Sequence, residues 1–200
     1  AIYAYYPCIS HDNKLYIFDK KYLFNTLEES KNVPALSEAI KVLEFPRQKR
    51  KPFRCIADFF ANDRLDVVGF TLASAGLKIS DYEREFYDRG EFTKYYQVHG
   101  LGVELAEALA EVLHKQIRLD WDIVPKEGHK LSDVQMKQYV GCRYSPGYAA
   151  CPELSQNRDI FDLLNPEKYG IELSETFQMH PEQTTCAIVV HNKEANYYNV

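Results

Sequence analysis

Apolar and polar positions alternate at both ends of the chain and follow a helical period in the middle. Ile2–Tyr6 and Lys14–Phe18 are short β-prone runs on either side of Ser10-His11-Asp12-Asn13, a stretch of turn formers, so the chain is expected to open with a hairpin. His11 belongs to that turn and is expected in solvent. Leu36, Ala39, Ile40 and Leu43 recur at helical spacing and predict a short helix closed by Pro46. Val67–Ser74 is a β-branched and apolar run ended by Gly76, the pattern of a buried strand. Ser80-Asp81-Tyr82-Glu83 has the form of a capping box and predicts a helix from there through about Arg89. From Phe92 to Trp121 the period is helical, with Leu101, Leu105, Leu109, Val112, Leu113 and Ile117 as the expected core stripe. A second capping box, Ser132-Asp133-Val134-Gln135, predicts a short helix over 132–140. Ser155 is placed to cap a helix over 156–164, ahead of Pro166. Ile171–Met179, Thr185–His191 and Ala195–Tyr198 then read as strands.

One stretch fits none of these patterns. Gly141-Cys142-Arg143-Tyr144-Ser145-Pro146-Gly147-Tyr148-Ala149-Ala150-Cys151-Pro152 combines two prolines, small residues, aromatics and a permanent cation. That is a poor helix and a poor central strand. It reads either as a surface turn with a solvated Arg or as a shaped loop that brings backbone close to a ligand. Arg143 offers a planar fork of donors for a carboxylate. Asp58 stands alone in the apolar run Phe53–Ala61, where an unpaired carboxylate is costly to bury; it either caps something or faces a cationic ligand. Glu104, Glu107 and Glu111 share one face of the long helix. Glu104 and Glu111 are read as a solvated stripe, while Glu107, between Ala106 and Ala108, leaves room for a ligand.

Composition narrows the classes. Two hundred residues suit a single domain over 1–200. A net charge of -5 argues against nucleic acid, and the basic run Arg47–Lys51 is too short to reverse this. That run is either an exposed loop or a docking patch for an acidic partner. Five cysteines without a Cys-x-x-Cys pair fit reduced thiols in a cytoplasmic protein. Cys151 is read as a small packed residue. His99 and His114 are not at metal-ligand spacing, and no metal is expected. No apolar run reaches membrane-spanning length. Fifteen tyrosines allow a broad, partly wet groove.

The central stretch resembles the Arg-x-x-x-Gly-Tyr-Pro-Ala-Cys-Pro signature of the S-adenosylmethionine-binding activation domain of cobalamin-dependent methionine synthase, with Ala149 where the family often has Pro. The likeness continues through Cys55–Phe59, His99–Leu101, Glu104–Glu111 and Met179–Gln183, in order along nearly the whole chain. It implies an α+β fold, a mainly antiparallel sheet with helices about it. Consistent with this, the glycine-rich strand–turn–helix of Rossmann methyltransferases is missing. It implies S-adenosylmethionine contacts at Asp58, Glu107, Arg143, Ser145, Gly147 and Tyr148, and leaves open which carboxylate meets which positive centre. It also implies that this is the C-terminal, N-terminally truncated piece of a multi-module methyltransferase. Cobalamin would be bound by another module, and a flavodoxin-type protein would donate the electron for reductive reactivation. No nucleophile–base pair of the chain's own stands out, so positioning is the expected contribution to catalysis. A non-catalytic adaptor for a corrinoid protein or flavodoxin, and a stand-alone activator of another corrinoid enzyme, are the competing readings.

Overall fold

The first ten-residue strand sets the sheet. β1 (Ile2–His11) turns through Asp12-Asn13 into β2 (Lys14–Ile17), paired from Cys8↔Ile17 to His11↔Lys14. Asp12 adopts positive φ, a conformation that Asp tolerates better than most residues. The expected hairpin is present, with β1 running on through Ser10 before the turn. The computed structural model describes residues 1–124 and 139–200; the helix expected over 132–140 lies, but for its last two residues, outside them.

After the one-turn α1 (Leu27–Ser30), capped by Thr26, the predicted second helix is replaced by a 3-10 turn at Leu36–Glu38 and a strand, β3 (Lys41–Glu44). Leu43 pairs with Leu15 and is fully buried, so ladder pairing with β2 wins over the helical spacing. β4 (Asp66–Ser74) is the buried strand expected. α2 (Leu77–Asp88) begins three residues before the predicted cap. Ser80 lies inside it and donates to Gln183 Oε1, while the buried Glu83 accepts from Gln183 Nε2. These side chains make tertiary contacts instead of capping.

α3 (Phe92–Asp120) matches its predicted span. β5 (Cys142–Tyr144), α4 (Gln156–Leu164) and β8 (Thr184–Val190) complete the main body. Between α4 and β8, the single strand expected over 171–179 is a small hairpin of β6 (Glu172–Leu173) and β7 (Met179–His180). Ala195–Tyr198 is not a strand; it runs irregularly over the surface of the core. The main sheet has the order β3-β2-β1-β4-β8-β5, with every pair antiparallel. The α+β expectation holds.

The pleat sorts the two faces. Val68, Phe70 and Leu72 of β4, with Cys186, Ile188 and Val190 of β8, pack into the core that receives Ile160, Phe161 and Leu164 of α4. Each large apolar side chain buried here is worth roughly 1.5–3 kcal/mol. Tyr6, opposite Val68, closes this side by donating to the Leu163 carbonyl. The alternate residues Gly69, Thr71 and Ala73, with Ala187 and Val189, face α3. Tyr5, opposite Gly69, packs on Trp121 and donates to Asp120 at that helix's end.

This second face is made of small residues, and that decides which side of α3 is buried. Gly102, Ala106 and Ala110 form the contact stripe, followed by His114, Ile117 and Arg118. A Cβ on Gly102 would lie 2.9 Å from Gln183 Cγ. Of the expected leucine stripe only Ile117 is fully buried; Leu101, 65% exposed, and Leu105 and Val112 face outward. Small-on-small packing lets the helix axis approach where leucines would hold it off.

Candidate ligand-binding site

The loop after β5 is folded as tightly as its composition allows. Gly147 has φ of +89°, and its N–H donates to the Cys151 carbonyl at 2.8 Å. The Cys151 N–H returns to the Tyr148 carbonyl, and Tyr148 N–H to the Ser145 carbonyl. This knot buries Ala150 and Cys151 and leaves the Tyr148 ring exposed. The Cys151 thiol donates to Gln156 Oε1, and burial pushes its pKa up to about 12. That is the packed role expected, and the opposite of an activated thiol.

Register places the cation. Arg143 pairs with Val189 and so shares the α3 face, while Cys142 and Tyr144 turn into the core. The Arg143 guanidinium, only 11% exposed, puts Nη2 at 2.6 Å from Glu111 Oε1 and at 3.8 Å from Glu107 Oε2. Its Nε is buried and makes no hydrogen bond among the described residues. Glu111, expected in solvent, is instead the nearest carboxylate to Arg143. Glu104 is exposed as expected.

Arg143 and Glu107 face a cavity of about 540 Å³. Its floor is the loop, with Ser145, Tyr148, Ala149, Ala150 and Cys151. Thr185 of β8 enters from the sheet. The remaining wall comes from Tyr144, Tyr197, Tyr198 and Asn199. Tyr144 donates to the Asn196 carbonyl at 2.7 Å, and Gln48 donates to the Asn199 carbonyl, which pins this segment over the site. Phe59 stacks on Tyr144 and meets Tyr198 edge-on. Sequence reading missed Tyr197, Tyr198 and Asn199; it assigned the two tyrosines to a strand and gave Asn199 no role. The usable signal was the adjacent tyrosine pair in a tyrosine-rich chain. A smaller cavity of about 220 Å³ adjoins the first across Glu107, Ser145 and Tyr148.

The structure therefore brings Glu107, Arg143, Ser145 and Tyr148 together, with Gly147 shaping the loop behind them. Asp58 stands outside that lining. Its carboxylate accepts from Arg47 Nη1 and Nη2 at 2.6 and 2.7 Å and from the Cys55 N–H at 3.0 Å. It faces a separate depression with Ser10, His11 and Phe60. The capping contact expected as one alternative is present, and the cation paired with the carboxylate is the chain's own Arg47. Among the described residues no helix is long and apolar enough to cross a membrane.

Residues 1–200 match the family described as "Vitamin B12 dependent methionine synthase, activation domain". The chain is 35% identical over 213 aligned residues to methionine synthase of Mycobacterium tuberculosis, with the whole chain aligned. It is equally close, at 35%, to methionine synthase of Mycobacterium leprae. It spans only 17% of the length of either relative. Among solved structures it is similar to a crystal structure of the MetH reactivation domain bound to AdoHcy, with a TM-score of 0.85 at 25% identity, over 98% of this chain and 59% of that one.

Proposed function

This chain belongs to the activation-domain family of vitamin B12 dependent methionine synthase, and we propose that its cavity beside Arg143 binds S-adenosylmethionine and orients the methyl group for transfer. The carrying observation is the convergence of Arg143 and Glu107, from separate segments, on one cavity floored by a loop of small residues. A cavity of about 540 Å³ is within the ordinary range for such ligands. The reactivation domain it resembles was crystallised with AdoHcy, which is S-adenosylmethionine without the methyl group and sulfonium charge.

In this reading Arg143 takes the ligand's carboxylate through charge-assisted hydrogen bonds. Glu107, with its side chain 51% exposed, is free to meet the ammonium or the sulfonium. The main chain over Ser145, Gly147 and Tyr148 would lie against the adenosine, with tyrosine rings at hand for stacking. Asp58 would join only by exchanging Arg47 for a positive centre of the ligand. Methyl acceptance and the electron supply would belong to a cobalamin carried by another module and to a flavodoxin-type donor. This chain's part is to bind and align. The five buried cysteines suit a cytoplasmic setting.

The test is titration calorimetry of the chain with S-adenosylmethionine and with AdoHcy. One saturable site for both is expected. Absence of heat with either, alongside measurable binding to a corrinoid module, would instead establish the adaptor reading.

A further inference from the structure

Glu111 is the closest partner of the site's cation, yet it does not line the cavity. Its Oε1 lies 2.6 Å from Arg143 Nη2, against 3.8 Å for Glu107, and its side chain is 28% exposed against 51%. Its other oxygen, Oε2, is buried without a hydrogen bond among the described residues. One turn along α3 is His114, and one turn beyond that Arg118, both fully buried. The Arg118 guanidinium lies over the Tyr139 ring at 3.9 Å. Burial, followed by the charges of Arg118 and Arg143, pushes the His114 pKa down to about 2, so its imidazole is neutral. Arg118 thus sets a second guanidinium deeper behind the cavity, while the direct ion pair of Glu111 is with Arg143.

We infer that Glu111 is a positioning residue: it holds Arg143 from behind so that the rest of the guanidinium is presented to the ligand's carboxylate. The division of labour on one helix face follows from four-residue spacing. Glu107 sits at the cavity and Glu111 one turn deeper. The inference rests on the S-adenosylmethionine reading of the pocket and adds a residue that never touches the ligand.

Its consequence runs against simple charge counting. Removing a negative charge near a carboxylate-binding site should strengthen carboxylate binding if only net charge matters. Loss of orientation should weaken it. The two effects can be separated because Gln keeps an acceptor oxygen where Glu111 Oε1 now sits, whereas Ala does not.

The experiment measures AdoHcy and decarboxylated AdoHcy binding by calorimetry on wild type, Glu111→Ala and Glu111→Gln. Glu111→Ala is expected to weaken AdoHcy about tenfold or more, the scale of one lost charge-assisted contact. Glu111→Gln should stay within about threefold of wild type, and decarboxylated AdoHcy should be indifferent to both changes. Tighter or unchanged AdoHcy binding by Glu111→Ala overturns the inference. So does an equal loss for both ligands, which marks a merely structural role. If Glu111→Ala does not fold, Glu111→Asp keeps the charge and shortens the reach. The same loss confined to AdoHcy is then expected, and wild-type affinity for AdoHcy overturns the inference. A wild-type chain that binds neither ligand refutes the pocket reading itself, a result distinct from any behaviour of the variants.

Discussion

Replacing Arg143 by Ala tests the site at its centre. The side chain is nearly buried, and Nη2 makes a 2.6 Å ion pair with Glu111. Two effects follow from its removal. The ligand's carboxylate loses a charge-assisted partner, worth about 1.5–3 kcal/mol for each such hydrogen bond. It is also left facing Glu107 and Glu111 with no intervening cation, and like charges at this range repel. Together these weaken S-adenosylmethionine binding by roughly 2–4 kcal/mol, or about 30- to 700-fold in Kd. The protein pays separately, because Glu111 keeps a poorly solvated carboxylate with no counter-ion at Arg143. A drop in unfolding free energy of about 1–3 kcal/mol is expected. Combining Arg143→Ala with Glu111→Gln should recover most of that stability and none of the affinity. Calorimetry reads the first quantity and urea unfolding the second. An affinity within threefold of wild type in a folded Arg143→Ala chain would refute the role given to this residue.

The Asp66–His191 pair, at 2.6 Å, makes stability pH-dependent. The Asp66 hydrogen bond, against the cost of burial, raises the His191 pKa. Burial pushes Asp66 up, but the His191 hydrogen bond and charge outweigh it and hold the carboxyl below its ordinary range. The His191 contribution is complete below about pH 6.5 and is lost as pH rises through its raised folded value; that of Asp66 is complete above about pH 3.9 and is lost as pH falls through its lowered one. The pair therefore stabilises most between these limits, and His191→Gln should lower the melting temperature there and flatten its fall above about pH 6.5 and below about pH 3.9. Gly102→Val forces a side chain against Gln183 and Ile79 and should cost about 1–3 kcal/mol in urea unfolding. An unchanged midpoint would show that the helix-to-sheet seam is looser than described. All five cysteines are buried, so native protein should resist Ellman's reagent, with all five reacting in guanidinium.

Where one face of an element is buried, sequence pattern and structure agree. The opening hairpin, β4, α4 and β8 follow their expected patterns, and α3 its expected span. The failures have particular causes. Leu36, Ala39, Ile40 and Leu43 carry a helical apolar spacing, but only the strand geometry lets Leu43 lie opposite Leu15 of β2. The Ser80–Glu83 capping pattern is real in composition, yet its groups bond to Gln183, more than a hundred positions away for Ser80. The α3 stripe was misjudged because hydrophobicity favours leucine while the small sheet face beneath selects glycine and alanine. At the cavity, Arg143 and Tyr148 stand out by their local chemistry, whereas Ser145 was pointed to by the family resemblance; all three line it. Glu111 was not legible, since its meaning depends on Arg143 lying opposite Val189 and so turning toward α3. Asp58 was legible as a carboxylate in need of a cation, but nothing in the local sequence says that Arg47 supplies it.

The cavity owes its walls to Glu107 of α3, β5 and the loop after it, one residue of β8 and the segment around Tyr198, stretches that meet only once the sheet has closed. An unfolded chain has no fragment of it. Occupancy and foldedness are thus one coupled equilibrium: a ligand at a hundred times its Kd would add about 2.7 kcal/mol to the stability of the whole chain. A thermal melt would register the bound molecule even though no melting element touches it alone.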